Sequence, residues 1–420
     1  MSSANQVTPQ PSCDDPYDPA LLSVDGALKR IAETVSSISD VEVVALREAL
    51  DRVLAADVHS PIEVPNHTNS AMDGYALRFA DLDKTSLQMI GTAWAGRAFN
   101  GSVGPGESVR IMTGAVLPDG ADTVVMQEHV ERDDDLIRVA GGQREGQHVR
   151  HAGEDLARGG TALGAGRRLL AADIGMVASL GVSELPVLRR PQVAFFSKGD
   201  ELRSIGQPLA LGEVYDSNRY TLHGMLTRAG VTFNDLGVVP DDRKQIRETF
   251  LRAASMADVV ITSAGASVGD ADYVKEVLDE IGQVNFWKIA MKPGRPLSFG
   301  RIDDSLFFGL PGNPVSVMVT FYQFVLPALK HLSGEIAWQP LRLRARTTDR
   351  LKKRPGRTEF QRGLLSQDES GALVVSTTGE QGSGILSSMS QANCFVILPL
   401  ESADAQPGDS VIVEPFAGLV

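Results

Sequence analysis

The chain has 420 residues, 43% of them hydrophobic and 22% charged, with a formal net charge of -13. Such a length calls for about two to four domains, and the composition excludes a wholly disordered protein. The acidity argues against nucleic acid or an anionic membrane surface as the main partner. Only two cysteines, Cys13 and Cys394, are present, which excludes a disulfide framework and a cysteine-based zinc module.

Residues 1–20 are polar and Pro-containing, without the basic and apolar regions of a signal peptide, and read as a disordered tail. No uninterrupted apolar run reaches the ~18 residues of a bilayer span, so a cytoplasmic protein is expected. Ala27, Ile31 and Val35, then Val43, Val44, Leu46, Ala49, Leu50, Val53 and Leu54, recur at helical spacing and predict two helices. Between about His59 and Arg150, short apolar runs such as Val109–Met112 and Thr123–Met126 alternate with Gly, Pro and Asp turns, the texture of a β-rich insertion. Helical spacing returns over Leu169–Leu180, predicting a helix that closes the insertion by packing on the first pair. The domain division expected from this is a tail (1–20), a discontinuous helical linking domain (21–58 and 151–188) and the β-rich insertion (59–150). His148 and His151, near Glu154 and Asp155, read as a surface loop rather than a metal site.

From Pro191 the chain alternates strand and helix as a parallel sheet requires. Val193–Phe196 is a continuous apolar strand, Asp216 or Ser217 caps a helix that Gly230 stops, and further strands cover Val231–Val239 and Val259–Thr262. Pro314 sits in the first turn of a long final helix, with Asn313 as its cap. Residues 189–333 therefore predict a doubly wound α/β domain. Beyond Ser333-Gly334, Leu341–Arg346 alternates strictly, and Ala372–Thr377, Cys394–Leu398 and Val411–Val413 are strand candidates without a helix between them. Residues 334–420 thus predict a small β-barrel or sandwich. Of the eight bases between Arg342 and Arg357, set against the single acid Asp349, most read as a solvated strand face, and nucleic-acid binding is disfavoured because no aromatics interleave them. Cys394, inside an apolar run, reads as a buried hydrophobe.

In an open parallel sheet, ligands bind beyond the carboxyl ends of the strands. The segments expected there are Ser197–Glu201, Ser263–Asp272, Lys288–Arg295 and Pro311–Ser316, and each combines Gly or Pro with charged or hydroxyl groups. Glycines let backbone N–H groups approach a phosphate, and a helix N-terminus adds partial positive charge. Glu201, Asp270 and Asp272 suit Mg²⁺, while Lys288 and Lys292 offer point charges to an oxyanion. Mg²⁺-assisted chemistry on a phosphoanhydride fits this inventory. No Ser-His-Asp or Cys-His nucleophile pattern is present.

Four segments then carry a resemblance: Ser70-Ala71-Met72-Asp73-Gly74-Tyr75-Ala76, Ser267–Tyr273, Met291-Lys292-Pro293-Gly294 and Gly309–Ser316. With Gln361-Arg362-Gly363 and Gln381-Gly382-Ser383, they resemble the signatures of the MoeA family, in order, from about residue 20 to the C-terminus. The resemblance implies a MogA-like α/β domain beside the β-rich, linking and barrel domains. It also implies insertion of molybdate into adenylyl-molybdopterin with release of AMP. On it, Glu201 and Asp272 would hold Mg²⁺. Lys292, Pro293, Ser316, Arg362 and Ser383 would meet molybdate, and Gly265, Ser267, Gly269 and Asp270 the adenylyl-molybdopterin. Asp73, Thr113, Asp241 and Lys288, with Glu201, Asp272 and Lys292, would form the catalytic set that the resemblance implies.

A homodimer whose cleft draws on both subunits is also implied, as is a molybdopterin adenylyltransferase as partner enzyme. Two departures from the family pattern stand out: Ala264 occupies a position usually Gly, where a Cβ restricts the backbone if φ is positive, and Lys198 stands where Thr is common. Two other readings stay open on the residues alone: adenylylation of molybdopterin itself, and a non-catalytic molybdopterin-binding scaffold.

Overall fold

The computed structural model describes residues 21–264, 273–336 and 338–416. By compactness they form two units, one of residues Val43–Val187 and the other of the preceding segment together with Leu188 onward.

In the Val43–Val187 unit, six strands form one sheet in the order 123–126, 74–77, 107–111, 87–93, 136–139, 130–133. This is the β-rich texture read between His59 and Arg150. Ala76, Val109, Ile111 and Val124 are fully buried on one face, Tyr75, Leu77 and Val125 on the other, which is the alternation a two-faced strand demands. The helix read at Leu169–Leu180 is present as Ala171–Ser179. Asp173, the charge in its apolar run, accepts from Leu170 N–H at 2.9 Å and pairs with Arg167 at 2.9 Å. The helix packs on Ala49, Leu54 and Val58.

One expected helix is corrected. Of the two read before residue 58, only Val24–Thr34 (α1) forms, capped by Ser23 Oγ on Gly26 N–H. Val41–Ala45 is instead a strand hydrogen-bonded to Glu184–Leu188, followed by one 3₁₀ turn. Its β-branched run Val41, Val43, Val44 favours the extended chain. Val41 and Val43 stay more than half exposed, so their apparent helical spacing marks no buried stripe.

In the other unit, a six-stranded sheet comprises β1 (Gln192–Lys198), β2 (Thr232–Val239), β3 (Val259–Ser263), β4 (Gly282–Lys288), β5 (Pro296–Ile302) and β6 (Ser305–Leu310). Its order is β2-β1-β3-β6-β5-β4. The first four of these run parallel, whereas β5 is antiparallel to β6 and to β4. Because two reversals restore direction, β4 ends on the same edge as β1, β2, β3 and β6. Helices α2 (Ser217–Ala229), α3 (Arg243–Met256) and α4 (Tyr273–Ile281) belong to this layer. Asp216 caps α2 through Arg219 N–H, and Gly230 ends it with φ 74°, as the sequence predicts. α1 buries Val24, Ala27 and Ile31 in the same core as Phe195, Phe299 and Phe308.

The continuous helix α5 (Pro314–Leu332) is long and apolar enough to cross a membrane by length and composition, yet most of it is buried here. Asn313 holds its N-cap position, but the Asn313 side chain makes no capping bond. Residues Phe321–Val325 form a π-helical turn within it.

The C-terminal strands are β7 (Leu343–Thr347), β8 (Thr358–Gln367), β9 (Leu373–Thr377), β10 (Cys394–Leu398) and β11 (Ser410–Pro415). They close into a five-stranded barrel in the order β8-β9-β7-β11-β10-β8, the small barrel predicted. A short helix, Leu386–Gln391, interrupts the expected all-β run. Cys394 is fully buried in the barrel core, and burial pushes its thiol up to about 11. Tyr322 of α5 stacks on Phe416 and meets Phe395 edge-on at 5.8 Å, so α5 and the barrel share one aromatic core.

Candidate functional site

A cavity of about 930 Å³ lies where the edge of the α/β sheet meets the barrel. The sheet side contributes Ala264 beyond β3, the Met291–Pro296 segment, and Pro311–Asn313 with Ser316 at the start of α5. The barrel side contributes Arg350, Lys352, Arg357, Glu359, Gln361 and the loop Gly379–Ser383. Two links fasten these walls together: Met291 and Lys292 pair with Thr358 and Glu359 of β8, and Val315 N–H donates to Ser383 O at 3.1 Å.

The Lys292-Pro293-Gly294 turn needs its glycine. Gly294 has φ 95°, and a Cβ there would lie 2.7 Å from Thr320 Cγ2 of α5, closer than packed atoms allow. The turn therefore seats directly on the helix, with Pro293 buried and the Lys292 ammonium exposed to the cavity. Lys292 makes no ion pair among the described residues. Ser316 is buried in the cavity wall at 4% exposure. This brings Lys292, Pro293, Ser316 and Ser383 together around one space.

Arg362 stands apart from them. Phe360 and Arg362 share one face of β8, while Glu359 and Gln361 share the other and line the cavity. Arg362 is 1% exposed, and its guanidinium donates to Ser388 Oγ (3.0 Å), Glu380 O (3.2 Å) and Gly382 O (3.0 Å). Burial pulls it down to about 10. It thus sits behind the Glu380–Ser383 wall and holds that loop from inside.

Beyond β1 and β2 the same sheet edge is acidic. Lys198, only 8% exposed, pairs with Asp241 at 3.0 Å, and Asp241 N–H donates to Asp200 Oδ1 at 3.1 Å. The Glu201 carboxylate folds back over Gly199, whose missing Cβ would lie 2.5 Å from Glu201 Oε2. That carboxylate makes no hydrogen bond or ion pair with another described residue, so both its oxygens stand ready for a cation. Lys288 ends β4, is exposed, and is absent from the cavity lining. Asp272, with Gly265, Ser267, Gly269 and Asp270, lies outside the described residues.

In the Val43–Val187 unit, Asp73 and Thr113 come together across the sheet end. Asp73 Oδ1 accepts from Thr113 N–H at 2.7 Å and from Thr113 Oγ1 at 2.8 Å, and these two bonds hold its carboxyl below the usual range. Both residues are exposed.

Residues 22–181 match the MoeA N-terminal region (domain I and II), 195–331 the probable molybdopterin binding domain, and 344–416 the MoeA C-terminal region (domain IV). A molybdopterin molybdenumtransferase of Haemophilus influenzae is 42% identical over 95% of this chain and 100% of its own length. The chain belongs to the MoeA family. Another molybdopterin molybdenumtransferase, from Nostoc sp., is 35% identical over 97% of this chain and 96% of its own. The crystal structure of a molybdopterin biosynthesis moeA protein from Pyrococcus horikoshii aligns with a TM-score of 0.82 at 30% identity, covering 94% of this chain and 100% of that one.

Several cavity residues escaped sequence reasoning. Glu359 and Glu380 line the space but fall outside every quoted signature, whereas Gln361 and Gln381 stand inside two of them without an assigned role. Most of the basic run is exposed, as the sequence suggests, but Arg350, Lys352 and Arg357 line the cavity, and Lys353 is buried at 5% exposure, donating to Arg354 O at 2.8 Å and Ser402 O at 3.3 Å. The left-handed position raised for Ala264 is real, with φ 62°.

Proposed function

We propose that this member of the MoeA family is a molybdopterin molybdenumtransferase, which inserts molybdate into adenylyl-molybdopterin and releases AMP. The observation that carries the reading is the convergence of Lys292, Pro293, Ser316 and Ser383 on one large cavity. An exposed ammonium complements a dianion, and the two hydroxyls donate to its oxygens. A buried serine such as Ser316 does this from a fixed position, without the ordering cost of a mobile side chain.

Mg²⁺ fits the acidic end of the sheet edge. Glu201 offers two unpartnered oxygens of the hard type this ion prefers, and Asp272 is proposed as the second carboxylate. The ion would supply charge neutralisation for a phosphoanhydride as its bond to AMP breaks. Lys198 pairs with Asp241 at the same sheet edge, and the Asp73 carboxylate, whose ionised form two hydrogen bonds from Thr113 favour, is proposed as a further acceptor. A cytoplasmic homodimer is part of the proposal, to be checked by light scattering.

The deciding experiment mixes the purified protein with adenylyl-molybdopterin, Mg²⁺ and molybdate. AMP release that depends on molybdate is the expected result. AMP release indifferent to molybdate, or consumption of ATP to make the adenylylated pterin, overturns it.

A further inference from the structure

The cavity is larger and more cationic than a tetrahedral oxyanion needs. Its volume of about 930 Å³ falls among sites that enclose drug-sized ligands. Five bases line it, Lys292 and Arg295 from the sheet side and Arg350, Lys352 and Arg357 from the barrel side, against the acids Glu359 and Glu380. In a chain of net charge -13, such a concentration is a local exception, and low-dielectric walls focus its field on anions.

The bases are not one pool. Glu359, 6% exposed, pairs in register with Lys292. Gln361 fixes it by donating Nε2 to Glu359 Oε2 at 3.1 Å and, with the same nitrogen, to Lys352 O at 2.8 Å. The Glu359 carboxylate thus neighbours Lys292 in the strand pairing and, through Gln361, the Lys352 carbonyl. A negative charge in the lining next to both opposes a single anion shared by the two and favours two positive lobes. In the barrel lobe Asp404 orients the exposed Arg350 side chain. Arg350 donates to Asp404 Oδ2 at 2.6 and 3.2 Å, and Asp404 Oδ1 accepts from Lys353 N–H at 2.7 Å. Lys352 makes no ion pair among the described residues.

We propose that the barrel wall, Lys352 with Arg350 and Arg357, is a second anion subsite that takes a phosphoryl group of the ligand whose oxyanion end meets Lys292. This rests on the molybdenumtransferase reading, in which the substrate carries a phosphoanhydride as well as meeting molybdate, and it names the wall that reads the phosphoryl part.

The test is isothermal titration of the full chain with inorganic pyrophosphate and, separately, with molybdate. Lys352→Glu, a change at an exposed side chain, is expected to weaken pyrophosphate at least tenfold and to change molybdate affinity less than twofold. The Lys352→Ala/Arg357→Ala pair should do the same, and Lys292→Ala the reverse. Pyrophosphate binding unchanged in Lys352→Glu, both anions weakening in step, or no saturable pyrophosphate binding by the wild-type chain each overturns the subsite. Neither titration involves turnover, so this outcome is separate from molybdate-dependent AMP release.

Discussion

Two ends of one sheet edge carry opposite charge. Beyond β1 and β2 stand Asp200, Glu201 and Asp241, with Lys198 paired to the last. Beyond β6, and around the turn leading into β5, stand Lys292, Arg295 and the start of α5, faced by the bases of the barrel. Ala264, following β3, lies between these ends in the strand order. The difference teaches how a single edge can suit a ligand that is itself electrostatically mixed: on the proposed function, carboxylates would hold a cation against the anhydride, and Lys292 would meet the oxyanion. It also separates two uses of positive charge, since Lys292 is left open to the cavity whereas Arg362 is spent on the loop behind it.

The comparison breaks most sharply at Lys292. Lys292→Ala is expected to lower kcat/KM for molybdate about 100-fold while shifting unfolding free energy by no more than about 0.5 kcal/mol, as read by AMP release and urea denaturation. Arg362→Ala should show the opposite balance. Losing three hydrogen bonds from a buried guanidinium costs about 2–3 kcal/mol of stability, and an unchanged urea midpoint would mean that the loop does not depend on it. At the acidic end, Glu201→Gln is expected to raise the Mg²⁺ concentration for half-maximal AMP release about tenfold with no change in melting temperature; an unshifted Mg²⁺ curve removes Glu201 from the cation site. The smallest effect concerns the residue between the two ends. Ala264→Gly relieves a left-handed residue and should stabilise the chain by about 0.5–1 kcal/mol, the relief exceeding glycine's added entropy in the unfolded chain; a destabilised variant would show that φ 62° carries no strain.

Much of this was legible in the residues. Asp216 and Gly230 bracket α2 because a side-chain acceptor and a left-handed residue are local requirements that any tertiary setting keeps. The strand-end loops were legible because continuous apolar runs such as Val193–Phe196 mark buried parallel strands, whose ends are then countable. What stayed hidden depended on partners distant in sequence. Val41–Ala45 is a strand because Glu184–Leu188 lies beside it. Lys353 is buried because the carbonyls of residues 400 and 402 converge on it. Arg362 turns inward because β8 alternates, a phase that no motif carries until its neighbours are placed.

The helix Pro314–Leu332 ties these observations to mechanics. Its first turn places Ser316 in the cavity wall, Thr320 abuts the turn bearing Lys292, and one turn further Gln323 grips Glu414 of the barrel at 2.7 Å. Tyr322, between them, is wedged against Phe395 and Phe416. Parting the two sides of the chamber would strip that aromatic seam and take from the buried Glu414 carboxylate one of its two side-chain donors, leaving it Arg342 alone. On the proposed function the opening for the oxyanion would accordingly be preset, and the chamber's selectivity would be a matter of rigid spacing along a single rod.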